Sequence, residues 1–126
     1  MMSGFTDNLK AEWLHDAQEW RLTEELVYVD VDGSVHRVPA GFLTDFSSIP
    51  RPLRGFAFSA PRSRPAGALH DYGYRVLRGN RKEHDLRFYR ALRSLGVNTV
   101  SANVYYFAVR SCGWWAWRKK RKGAQR

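Results

Sequence analysis

Apolar positions along this chain first alternate with polar ones and later recur every three or four residues, so a strand-forming half precedes a helix-forming half. Alternation begins at Trp20-Arg21-Leu22, and Leu26 to Val31 is rich in β-branched and aromatic residues. Leu9 to Glu19 fits either period. Asp32-Gly33 is a hairpin signal, because both residues tolerate the positive φ of a primed turn, and Ser34 to Val38 is the expected return strand. Val35 or its neighbours should face inward. Pro39 and Gly41 end the ladder, since proline has no N–H to donate to it.

Arg51 to Phe58 has room for one short helical turn before Pro61 breaks it. Ser63 or Arg64 then caps a helix with Pro65 in its first turn, and Ala66, Leu69, His70, Gly73, Tyr74 and Leu77 share one face. Gly79 stops it. Asn80 to Glu83 has the spacing of a capping box, and Asp85, Phe88, Tyr89, Leu92 and Leu95 line the next helix, which Gly96 ends. A third helix, Val97 to Cys112, should bury Val100, Val104, Phe107 and Ala108 and stop at Gly113. These elements predict an α+β fold: a small N-terminal antiparallel β-meander packed on about three C-terminal helices. Residues 1–117 form one domain, and residues 118–126 are a basic C-terminal tail.

Composition agrees with a folded single domain. The chain has 126 residues, 44% hydrophobic, with 18 aromatics among them, enough for one core. A lone cysteine, Cys112, excludes an internal disulfide and a cysteine-rich zinc module. No apolar run is long enough to span a bilayer, and the first residues lack the pattern of a secretory signal, so synthesis in the cytoplasm as a soluble protein is expected.

Charge adds a partner question. Up to Asp45 there are three bases against nine acids; from Phe46 on there are 18 bases against three acids, for a net charge of +9 overall. A chain so divided suits nucleic acid, an anionic membrane or an acidic protein. The end of the chain, Trp114-Trp115-Ala116-Trp117-Arg118-Lys119-Lys120-Arg121-Lys122, sets tryptophans beside a basic block, with Trp115, Lys119, Lys120 and Arg121 as contact candidates.

The chemistry-bearing residues cluster in the middle. Asp45, bracketed by Phe42 and Phe46 and followed by Ser47 and Ser48, lies in a proline-flanked turn; His70 and Asp71 sit on the first helix and Asp85 opens the second. If Asp45, His70 and Asp85 converge, they supply the oxygen and imidazole ligands of a zinc or manganese ion, which activates water for hydrolysis while Asp71 orients the imidazole or acts as base. Without metal, the His70–Asp71 pair suits general acid/base work, with Ser47 or Ser48 as nucleophile. Equally, inward His and Asp groups can bond each other and the turn's backbone, tying strands to helices. Two helices joined by a short loop place His70 further from that loop than Asp85, a gap that a crossing angle or the intervening Tyr74 and Arg75 would have to close.

Four blocks together resemble a known family: Val38-Pro39-Ala40-Gly41-Phe42-Leu43-Thr44-Asp45-Phe46-Ser47-Ser48-Ile49-Pro50-Arg51, then Leu69-His70-Asp71-Tyr72-Gly73-Tyr74-Arg75, then Asp85-Leu86-Arg87-Phe88, and Tyr105 to Gly113 with a following Trp. They resemble the domain of unknown function 1353, from about Trp20 to Trp117. The resemblance implies a bacteriophage or prophage context and matches the family's recurrent acid, His-Asp and second acid to Asp45, His70, Asp71 and Asp85. It departs at Gly73, where the family often has Ala or an aliphatic residue, and at His84, where Ala is common. The expected role is a virion protein, of the tail or acting at the host envelope, with phage structural proteins or that envelope as partners. A metal-dependent hydrolase of cell-wall or nucleic-acid material and a nucleic-acid-binding accessory protein are the alternatives.

Overall fold

Strands come first and helices after, as the change of period requires. The computed structural model describes residues 3–44, 63–76 and 79–124, with the side chains of the last helix described as far as Ser111. Six short strands, β1 (Gly4–Phe5), β2 (Ala11–Leu14), β3 (Glu19–Leu22), β4 (Leu26–Val29), β5 (Val35–Val38) and β6 (Leu43–Thr44), precede three helices, α1 (Arg64–Val76), α2 (Arg81–Ser94) and α3 (Thr99–Ala124). The fold is α+β.

The strands make two antiparallel sheets rather than one meander, in the orders β1-β4-β5 and β2-β3-β6. The β4–β5 hairpin pairs Val29 with Val35 across a turn in which Gly33 takes φ 85°, as the Asp-Gly signal requires. Its inward face carries Leu26, Tyr28 and Val38, while Val35 is half exposed. Gly41, also at positive φ, reverses the chain, and Gly41 N–H to Leu22 O and Leu22 N–H to Phe42 O lead β6 onto β3. The ambiguous stretch Leu9 to Glu19 holds β2 and its turn into β3.

Helix α2 begins at Asn80, whose side chain accepts from the Glu83 N–H at 2.9 Å. At its far end Gly96, φ 87°, donates to Arg93 O, and the Val97 N–H closes onto Leu92 O. The core gathers Leu22, Leu26, Tyr28 and Val38 from the sheets, Leu69 from α1, Phe88 and Leu92 from α2, and Tyr105 and Val109 from α3.

Helix α3 departs from expectation twice. It runs through Gly113 to Ala124, because the roughly 1 kcal/mol penalty of an interior glycine is offset by the Ala, Arg and Lys that follow with no proline among them. Its expected buried stripe also faces outward: Val100, Val104 and Phe107 are 75%, 52% and 63% exposed, whereas Ala102, Tyr105 and Val109 are buried. The helix carries two apolar faces. Tyr105 stacks edge-on against Phe88 with ring centroids 6.0 Å apart, and small Ala102 lets the backbones approach, which selects that face for the core.

A candidate functional site of buried carboxylates

Helical periodicity directs His70 and Tyr74, one turn apart on α1, toward α2, where both meet one carboxylate. His70 Nε2 lies 2.6 Å from Asp85 Oδ1, and Tyr74 Oη donates to that same oxygen at 2.7 Å. The other oxygen accepts from Arg110 Nη1 of α3 at 3.0 Å and from Arg81 Nη1 at 3.4 Å. Arg81 also donates to the carbonyls of Val109 and Arg110, at 3.0 and 3.2 Å. The imidazole is held between the rings of Tyr74 and Phe88, with centroids at 4.3 and 4.8 Å. The gap expected between His70 and Asp85 closes because Asp85 stands about 6 Å into α2 at 1.5 Å per residue.

Burial pushes the Asp85 carboxyl up, but the hydrogen bond and charge of His70, with the bonds from Tyr74 and Arg110, outweigh it and hold the group below its ordinary value. Asp85 is therefore a carboxylate. A carboxylate has no proton to give, so His70 Nε2 is the donor in their bond. The Tyr74 phenol is raised, by burial first and then by the neighbouring Asp85, and stays protonated as a donor.

Asp71, next along α1, points about 100° round the helix and accepts from Thr44 Oγ1 of β6 at 2.8 Å. Both groups are buried. The carboxylate that positions the His70 Nε2 edge is thus Asp85, whereas Asp71 ties α1 to the strands. Asp45, Ser47 and Ser48 lie outside the described residues, as do the Arg51 to Phe58 turn and Leu77. Trp115, Lys119, Lys120 and Arg121 lie on the backbone of α3, past its last described side chain.

The two described members of the expected zinc or manganese set do not fit a cation. Two guanidinium groups stand within 3.4 Å of Asp85 Oδ2, where they would repel a metal. Among the described residues, no group of three His, Cys, Asp or Glu side chains is placed to hold a metal ion. The side chains of His70 and Asp85 have no solvent exposure. What this arrangement does is join three helices through one buried charge.

A model described as a protein of unknown function, DUF1353, matches residues 20–109. The chain belongs to the DUF1353 family. No curated protein and no solved structure matches it. In this DUF1353 chain the matched region contains the strands from β3 on, α1, α2 and the described part of the buried network up to Val109, so Arg110 lies one residue beyond it.

Gly73 of α1 and His84 of α2 are neighbours. A Cβ on Gly73 would stand 2.5 Å from Nδ1 of His84, so the imidazole occupies the space a side chain at position 73 would need. Arg87 Nη1 holds that ring at 3.2 Å. In a four-member urea series, Gly73→Ala gains roughly 1 kcal/mol of helix propensity but must displace the ring, so Gly73→Ala/His84→Ala is expected to be 1–2 kcal/mol more stable than the single effects sum to. Additivity within about 0.5 kcal/mol means the ring is not held there.

Sequence reasoning missed the cationic half of the network. Arg81 was legible, four residues before Asp85 on one helix face; Arg110, 25 residues away, carried no signal. Also missed was Asp30, buried beside the hairpin turn and gripped by Arg90 of α2 through two bonds of 2.8 Å.

Proposed function

We propose that this chain is a bacteriophage-type protein that works by binding at the host envelope, in or beside the virion tail, with α3 as its contact surface. The phage context rests on the family resemblance. The observation that carries the reading is α3 itself: 26 residues, about 39 Å long at 1.5 Å per residue, with Val100, Val104 and Phe107 exposed on one face. The same helix continues into three tryptophans and five consecutive cations, and no acid follows Asp85 in the chain. Apolar and aromatic groups beside cations suit the headgroup region of an anionic bilayer. No described helix is long and apolar enough to cross a membrane, so the contact is one of lying on the surface. In this reading the Asp85 cluster holds the middle of α3 against the body through Arg110.

Sedimentation with vesicles tests it. The protein should pellet with phosphatidylglycerol/phosphatidylcholine vesicles, stay free of pure phosphatidylcholine, and dissociate as salt rises. At about 1 kcal/mol per cation, Lys119→Gln, Lys120→Gln and Arg121→Gln together should weaken binding about 100-fold. Phe107→Glu should weaken it as well, because the apolar face enters the lipid. Tight binding to duplex DNA that Phe107→Glu leaves intact, with vesicles ignored, would make the protein a nucleic-acid-binding accessory instead.

A further inference from the structure

A second feature lies away from α3 and from the Asp85 network. Between β5, α1 and α2 a cavity of about 540 Å³ opens to solvent, large enough for a small organic molecule. One wall is apolar, made by Leu69, Tyr72 and Val76; the other carries His36, His84 and Arg87. Among the described residues, no carboxylate lines it. Its charge is therefore set by cations.

Arg87 is the decisive group. Its side chain is 16% exposed, and its nearest acid is Asp30, 3.4 Å from Nε. Asp30 is already taken: Arg90 bonds both its oxygens at 2.8 Å, and Oδ1 also accepts from the Val31 N–H and from Tyr28 Oη. Arg87 Nε is consequently buried without a hydrogen-bond partner. Two guanidinium groups share one carboxylate, which leaves a positive charge uncompensated beside the cavity. Arg87 Nη1 meets His84 Nδ1 at 3.2 Å, and because a guanidinium only donates, Nδ1 accepts. At the cavity's rim Arg37 is engaged with Glu25, but that pair is solvent-exposed and weak enough to exchange for a ligand.

We propose that this cavity binds a small organic anion, a phosphate or carboxylate on an aromatic or aliphatic body, with Arg87 holding the anion and the Leu69–Tyr72–Val76 wall covering the apolar part. A guanidinium matches such anions through paired N–H groups. Gly73 has a stated part: its missing Cβ is what lets the His84 ring sit against Arg87.

Calorimetric titration of the full chain with three probes tests the site. Phenyl phosphate should bind at least 10-fold tighter than either inorganic phosphate or phenol. Arg87→Gln should weaken it at least 10-fold, and Arg90 still satisfies Asp30 in that variant. Val35→Trp, at a half-exposed position lining the cavity, fills it from the surface and should abolish binding, which decides the matter should Arg87→Gln not fold. Absent binding of phenyl phosphate overturns the proposal. So does equal affinity for phosphate or phenol alone, or binding that survives Val35→Trp.

Discussion

Replacing Asp85 with Ala is expected to remove about 3–5 kcal/mol of stability, the loss typical when one partner of a buried ion pair is deleted. Asp85 is fully buried and receives His70, Tyr74, Arg81 and Arg110 from three helices. Its removal takes away the acceptor that a buried imidazole, a phenol and two guanidinium groups share, and leaves their positive charge without its counter-charge. Against a typical total of 5–15 kcal/mol this places the variant near unfolding. Tyr74→Phe removes the hydroxyl that donates to Asp85 but leaves the carboxylate and its other donors in place, and should lose only about 1 kcal/mol. Urea titrations at constant m separate the two, since the midpoint should fall far further for Asp85→Ala. An Asp85→Ala unfolding free energy within about 1 kcal/mol of the parent would show that the cluster does not join the helices.

Acid should uncover the second large effect, at Asp30. Burial raises this carboxyl, but the Arg90 hydrogen bonds, the Val31 N–H and the charges of Arg90 and Arg87 overcome that and bring its pKa to about 2. An unfolded aspartate titrates near 3.9, so folding lowers the pKa. Such a group contributes its stability in full above about pH 4, and the contribution, roughly 2 kcal/mol, is lost as pH falls toward 2. Asp85, also lowered, acts in the same direction. Asp30→Asn should flatten that acid limb: parent and variant should converge in thermal midpoint as pH drops from 5 to 2, with the parent clearly higher at pH 5. Parallel curves over that range would remove Asp30 from the account of acid sensitivity.

Some of this was readable from residue order alone. Asp85, Phe88 and Leu92 fall on one face at 3.6-residue spacing, and so do Leu69, His70 and Tyr74; burial of all six follows from that period. Asn80 and Gly96 bound α2 for local reasons, a side-chain acceptor and a positive φ, which need no tertiary partner. Helix α3 was misread because Val100/Val104/Phe107 and Ala102/Tyr105/Val109 both have helical spacing, and only the shape of Phe88 and its neighbours chooses between them. His36 carried no motif, yet it lines the cavity with His84 and Arg87.

Order along the chain determined which residues become strand or helix, where α2 is capped, and that His70 and Asp85 face inward, because hydrogen-bond geometry and side-chain period act over a few residues. The tertiary structure decided that Arg110 joins Arg81 at Asp85, which acid Arg87 and Arg90 share, and which apolar face of α3 stays in water. Those outcomes depend on electrostatic and packing contacts between groups 25 to 60 residues apart, such as Asp85 with Arg110 and Asp30 with Arg90, and no local period encodes them.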